Sequence, residues 1–206
     1  MNPVKASLLA TLAALAASTM TAGGKATVHE TRMRLDEGVT SNALVEKRDV
    51  VLTRTFDAPV ERVWKAWTDP QEVMRWWGPK GFTSPTCRID FRVGGKFIFH
   101  MRAPREFQGG QDFYTTGVYK KIVPLKLIEF TQTLSDKDGN HVDPATLGMP
   151  TDFPKEIASS LAFKSVGGKT QLIATEYGWT VGQMRDFSEA GLGECLDKLA
   201  AVVHRP

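Results

Sequence analysis

The chain has 206 residues, with a hydrophobic share of 42%, a charged share of 24% and a formal net charge of +3. These values sit near globular averages and exclude wholesale disorder and a multi-span membrane protein. Lysines and arginines are interspersed with acids and never run five or six together, so nucleic acid is not an expected partner.

The length fits one domain with an appendage. Lys5 is followed by 19 uncharged residues, among them the apolar run 6–17 (ASLLATLAALAA), with Ala22 and Ala26 as small residues for cleavage. Residues 1–26 therefore read as a signal peptide or leader, which implies an exported or periplasmic protein. The alternative is a cytoplasmic chain that begins with a frayed Ala/Leu helix. The run is too short to span a bilayer, which takes about 20 apolar residues. Residues 27–46 are polar and without period, a flexible linker, and the folded domain is expected over 47–203.

Residues 47–56 (KRDVVLTRTF) are rich in Val and Thr and end before Asp57-Ala58-Pro59, the pattern of a strand handed to a helix. Val60, Val63, Trp64 and Trp67 recur at spacings of three and four, one apolar helix face opposite Glu61, Arg62 and Lys65. Thr68-Asp69-Pro70 breaks that helix, and a second runs from Gln71 to about Trp77, where Gly78-Pro79 stops it. The period then becomes alternating. Cys87, Ile89 and Phe91 alternate with Arg88, Asp90 and Arg92, and beyond the Gly94-Gly95 turn Phe97, Phe99 and Met101 alternate with Lys96, His100 and Arg102. Strands follow over 114–122, 125–134, 157–165 and 170–179, the last two joined at Gly167-Gly168. The final helical pattern, about Gln183 to Val203, carries Met184, Phe187, Gly191, Cys195, Leu199 and Val202 on one side. That stripe needs the sheet's apolar face to cover it. Gly191 and Gly193 suggest a close approach or a bend in this helix, since each costs about 1 kcal/mol against Ala.

Several phrases resemble the activator of heat-shock-protein-90 ATPase homologue family, within the SRPBCC superfamily of START-like and Bet v-like domains. They are Arg54-Thr55-Phe56-Asp57-Ala58-Pro59, Val63-Trp64-Lys65-Ala66-Trp67-Thr68-Asp69-Pro70, Trp76-Trp77-Gly78-Pro79, 90–97 (DFRVGGKF), 117–124 (GVYKKIVP), 128–131 (IEFT) and Asp197-Lys198-Leu199. The resemblance covers about residues 47–203. It implies an α+β helix-grip (START-like) fold: a curved antiparallel sheet of about seven strands, two short helices between strands one and two, and a long C-terminal helix packed across the concave face. It also implies an internal cavity and a small hydrophobic ligand. Two departures bear on the cavity. The last helix reads Gly191-Leu192 where the family commonly has Gly-Trp, and the segment Leu134 to Lys155 is longer than a plain hairpin. Long loops of this kind often act as lids, and Leu147, Met149 and Phe153 are its candidate lid residues.

The alternation gives the cavity a lining of Ile89, Phe91, Phe97, Phe99, Met101, Ile128, Phe130, Leu161 and Phe163, opposed by Met184, Phe187, Cys195 and Leu199. Trp77 is a core or rim residue. The same side chains can instead fill a solid core, and periodicity does not separate the two. Gln132 continues the inward face of Ile128 and Phe130, and Glu176 that of Leu172 and Ala174; either can orient a ligand's polar atom, or Glu176 can pair with a basic residue at the rim. Burying roughly 300 Å² of ligand surface gives about 7 kcal/mol gross, less association costs of about 4 kcal/mol or more, so binding should be weak to micromolar.

No catalytic residue stands out. His100 alternates with the inward phenylalanines and is expected in solvent, like His29, His141 and His204. No GxSxG, GxxxxGK[ST] or HExxH occurs. Asp136-Lys137-Asp138-Gly139-Asn140 lacks the later bidentate Glu of a calcium loop and reads as a turn. Cys87 and Cys195 have no metal-ligand spacing and read as buried apolar residues. No metal or cofactor is expected, and monomer and homodimer both remain open. The alternatives to a binder or carrier are a cyclase or dehydratase using the same cavity and, less favoured, a co-regulator of a chaperone ATPase. The last is disfavoured because the eukaryotic activators carry a further amino-terminal domain where this chain has 46 leader-like residues.

Overall fold

The computed structural model describes residues 46–107 and 109–204. The leader, His29 and nearly all of the linker lie outside them. Seven strands form one antiparallel sheet: β1 (Lys47–Phe56), β2 (Cys87–Ile89), β3 (Lys96–Arg102), β4 (Asp112–Val123), β5 (Leu127–Ser135), β6 (Ile157–Val166) and β7 (Lys169–Thr180). Their spatial order is β1-β7-β6-β5-β4-β3-β2. Strands two to seven thus form a meander, and β1 pairs with the last of them. Between β1 and β2 the chain crosses the sheet through α1 (Val60–Thr68) and α2 (Pro70–Val73), and α3 (Gln183–Val203) closes the fold. This is the α+β helix-grip arrangement that the resemblance implies.

The helices form for local reasons. Asp69 ends α1 and caps α2, its carboxylate accepting from the Gln71 N–H at 2.9 Å. α2 is shorter than the expected span to Trp77; the chain leaves it as turns from Met74, with Trp76 fully buried and its indole N–H on the Ala66 carbonyl at 2.9 Å. That bond ties the turn to the end of α1. Val60, Val63, Ala66 and Trp67 of α1 are buried, as are Gly191, Cys195, Leu196, Leu199 and Val203 of α3. Both stripes share one core with Phe56, Phe97, Phe99, Tyr119, Ile128, Leu161, Phe163 and Leu172 of the sheet.

Gly117 of β4 faces that core opposite Phe97. A β-carbon there would come within 2.3 Å of the Phe97 ring and 2.2 Å of the Thr131 carbonyl, so the ring occupies the space a side chain would have filled. Gly193 differs: nothing lies within 4 Å of where its β-carbon would be, and no close approach explains it.

Candidate functional site

The concave face is solid at one end and hollow at the other. The hollow has a volume of about 100 Å³ for the centres of water-sized molecules. Met101, Thr115, Gln132, Thr133, Leu134, Ile157, Glu176 and Trp179 bound it from the sheet, and Met184, Ser188, Gly191, Leu192 and Cys195 from α3. Trp77 and Pro79, after α2, and Phe153 and Pro154, before β6, complete the wall. A smaller hollow of about 30 Å³ shares Trp77, Gln132, Glu176 and Leu192 with it and adds Trp67, Phe99, Phe130 and Leu161.

Strand alternation brings Gln132 and Glu176 inward. Glu176 lies beside Ser159, which pairs in turn with Phe130, so it follows Leu172 and Ala174 on one face. Trp179 is three residues on and by strict alternation would point outward. A bulge corrects this. Arg48 pairs with Trp179 and Val50 with Glu176, leaving Asp49 alone opposite Tyr177 and Gly178. Gly178 takes a φ of 72° and gives its N–H to the Asp49 carboxylate at 2.9 Å. The extra residue turns Trp179 back into the hollow beside Glu176.

Glu176 is the polar centre. One carboxyl oxygen accepts from Gln132 Nε2 at 3.1 Å; the other accepts from Trp179 Nε1 at 3.0 Å and Ser188 Oγ at 2.6 Å. The residue counts as half-buried because its accessible part opens onto the cavity. Burial pushes its pKa above the ordinary carboxyl value, against the three donors that pull it down. No basic side chain reaches it among the described residues, so the rim pairing considered for Glu176 does not form. Arg185 is engaged by Glu189 at 2.9 Å and by the Asp49 carbonyl at 2.9 Å. Lys198 gives its ammonium to the carbonyls of Gly78 at 2.8 Å and Phe82 at 2.9 Å, with that of Trp77 at 3.4 Å. Burial pushes the Lys198 pKa down, and the lysine fixes the turn that presents Trp77 and Pro79.

The expected lining divides. Trp77, Phe99, Met101, Phe130, Gln132, Leu161, Glu176, Met184 and Cys195 border the hollows. Ile89, Phe91, Phe97, Ile128, Phe163 and Leu199 instead belong to the solid end. Phe91 packs edge-on against Trp64 and Tyr119, at 5.8 and 5.1 Å between centroids, and Phe163 against Trp64 at 5.1 Å. Phe97 and Ile128 are fully buried. Phe187 is half-buried and borders neither hollow, because Met184, Ser188, Gly191 and Cys195 form the strip facing the cavity and Phe187 falls at its edge. Of the three candidate lid residues only Phe153 reaches the cavity, edge-on to Trp179 at 5.6 Å. Leu147 is exposed and Met149 is buried away from the cavity wall. The long segment is held at both ends by Thr133, whose hydroxyl meets His141 Nδ1 at 2.7 Å and donates to the Lys155 carbonyl at 2.7 Å.

Thr115 and Ser188 also border the cavity, beyond the lining expected from the sequence. Thr115 lies two residues before Gly117 on the inward face of β4, and Ser188 lies four after Met184, so the two periods carried the signal.

His100 does not meet solvent. It points to the outer face as alternation requires, yet it is only 2% exposed. It stacks on Tyr114 at 4.3 Å, with Thr86 Oγ1 3.0 Å from Nδ1 and Asp112 accepting from Nε2 at 2.9 Å. Asp112 also accepts two bonds from Arg102, which, with a smaller contribution from His100, lower its pKa to about 2. None of these residues borders the hollows. Burial pushes the thiols of Cys87 and Cys195 up to about 12. Among the described residues, no cluster of three or more His, Cys, Asp or Glu is placed to hold a metal, and no helix is long and apolar enough to cross a membrane.

No curated protein matches the chain. Among solved structures, a protein from Arthrobacter aurescens is similar at 22% identity, over 80% of this chain and 94% of that one, with a TM-score of 0.60. A protein from Chromobacterium violaceum is 24% identical over 77% and 98%, with a TM-score of 0.59. An AHSA1-like protein from Aeromonas hydrophila is 24% identical over 76% and 92%, with a TM-score of 0.55. These likenesses concern the fold. The model of the Activator of Hsp90 ATPase homolog 1-like protein family matches residues 57–204, from the end of β1 through α3, and the chain belongs to that family.

Proposed function

We propose that this protein binds a small, largely apolar molecule in the cavity beneath α3. The observation that carries the reading is the make-up of that cavity. The rings of Trp77, Phe153 and Trp179 and the thioethers of Met101 and Met184 surround one convergent polar group, Glu176 with its donors. Small-molecule sites usually take this form, a mostly apolar hollow with a few placed polar groups. In the measure used above one water needs about 10–15 Å³, so the hollow has room for several waters or a compact ligand.

The choice of binder over cyclase or dehydratase is supported by the lining. Acid-base chemistry on a bound substrate generally uses a second proton-transfer group near the first. Among the described residues, Glu176 and Cys195 are the only titratable ones bordering either hollow, and the thiol is pushed up to about 12.

Native mass spectrometry of the protein purified from its own host tests the reading. A small non-covalent adduct that is lost on collisional activation is the expected result. Absence of an adduct, together with no thermal shift from a panel of compact apolar compounds, would sink it. The same spectrum bears on our further proposal that residues 1–26 direct export: a mature mass without them supports it, and an intact leader on all of the protein overturns it.

A further inference from the structure

We infer that the molecule this cavity takes is a lipophilic amine, an apolar body with a protonated nitrogen that pairs with Glu176. The inference rests on the reading of the cavity as a ligand site and adds the sign of the ligand's charge.

Three observations carry it. The first is the charge of the lining. Among the described residues, Glu176 is the only carboxylate bordering the two hollows, and no Lys, Arg or His borders either. The nearest cations of α3 are held elsewhere, Arg185 by Glu189 and the Asp49 carbonyl and Lys198 by backbone carbonyls. A buried carboxylate without a counter-charge is costly, and an ammonium brought by the ligand would supply what the protein leaves out.

The second is the hydrogen bonding. An indole N–H can only donate, so Trp179 holds its carboxyl oxygen as an acceptor. The Ser188 contact at 2.6 Å on that oxygen has the length of a hydroxyl bonded to a charged oxygen. With Gln132 on the other oxygen, three of roughly four acceptor positions are filled. One remains, on the oxygen that Gln132 meets, in a residue that borders both hollows. The upward push that burial gives this carboxyl is what a paired ammonium would reverse.

The third is the set of rings. Trp77, Trp179 and Phe153 border the same hollow as Glu176. Aromatic faces attract a cation and offer nothing comparable to an anion, most of all where water is displaced. A ligand carboxylate, as in a fatty acid, would meet Glu176 with like charge and find no cation to receive it. A neutral alcohol could fill the open acceptor position without compensating the charge.

The test compares hexylamine, 1-hexanol and hexanoate at neutral pH, by calorimetry and by quenching of tryptophan fluorescence, on the wild-type chain. Hexylamine should bind at least about tenfold tighter than 1-hexanol, and hexanoate should be weakest. Glu176→Gln should cost the amine at least about tenfold and change 1-hexanol by less than about threefold. Hexanoate binding as well as hexylamine, or a Glu176→Gln variant with unchanged amine affinity, overturns the inference while the ligand site stands. If none of the three probes binds the wild-type chain, the ligand site itself falls and this inference with it. The wild-type series needs no variant to fold. Ser188→Ala, which keeps the carboxylate and frees a further acceptor position, should hold or raise amine affinity, and a fall would count against the pairing.

Discussion

The solid and hollow ends of the concave face are built on the same strands. β5 gives Ile128 to the solid end and Gln132 and Leu134 to the hollow; β7 gives Leu172 to one and Glu176 and Trp179 to the other. What differs is the covering layer. Over the solid end lie Val63 and Trp64 of α1 with Leu196 and Leu199 of α3. Over the hollow lies α3 from Met184 to Cys195, where Ser188 and Gly191 face the sheet, with Trp77 and Pro79 on one side and Phe153 and Pro154 on the other. Small residues on the helix leave the space empty, and cavity size is therefore set by α3 more than by the sheet.

Five substitutions sharpen or break this contrast. Phe97→Ala in the solid end should cost about 3–5 kcal/mol by urea unfolding, whereas Met184→Ala, beside the hollow, should cost about half as much or less. Equal costs would mean that the two ends are packed alike. Lys198→Met should cost about 1–3 kcal/mol, because the Gly78 and Phe82 carbonyls lose their donor, and acrylamide should then quench Trp77 more readily. Unchanged quenching would mean that the lysine does not hold that wall.

Glu176→Gln reads the hollow through pH. The folded-state pKa is raised, chiefly by burial, so ionisation works against folding. That cost is absent below the ordinary value of 4.5 and grows as pH rises from there toward the folded-state value. The variant should thus melt above the wild type at neutral pH, with the gap closing on acidification. A variant that melts lower at neutral pH would show that the three donors outweigh desolvation. The smallest effect belongs to Gly193→Ala, which should stabilise by about 0.5–1 kcal/mol, since a β-carbon meets nothing there; a loss of stability would reveal a constraint on that part of α3.

Fold was legible because it is written in repeating periods. The alternation of Phe97, Phe99 and Met101, the spacing of Val60, Val63 and Trp67, and the order of the elements all agree with the observed sheet and helices. The site was legible only as a face. Phe97 and Phe99 have the same parity, yet one fills the core and the other borders a hollow, because parity says which side a residue takes and not what lies opposite. Trp179 could not be placed by alternation, since its direction depends on one extra residue at Gly178. His100 was misjudged for a related reason. Its outward side is covered by Thr86 and Tyr114, and period carries no information about what covers an outer face.

The segment between β5 and β6 is fastened at its neck, by the Thr133 hydroxyl and by the Val142 N–H, which donates to the Leu134 carbonyl at 3.0 Å. Because the Thr133 hydroxyl meets both His141 and the Lys155 carbonyl, the neck of the loop is closed whatever its middle contains. From Ala145 to Asp152 the backbone hydrogen bonds stay within the segment, so the exposed positions there can vary without disturbing strand register, whereas the buried Met149 cannot. Phe153 hangs just inside the neck and over the cavity. Changes in the free middle can tilt it, so the rim is a place where selectivity for the ligand can drift while the fold stays constant.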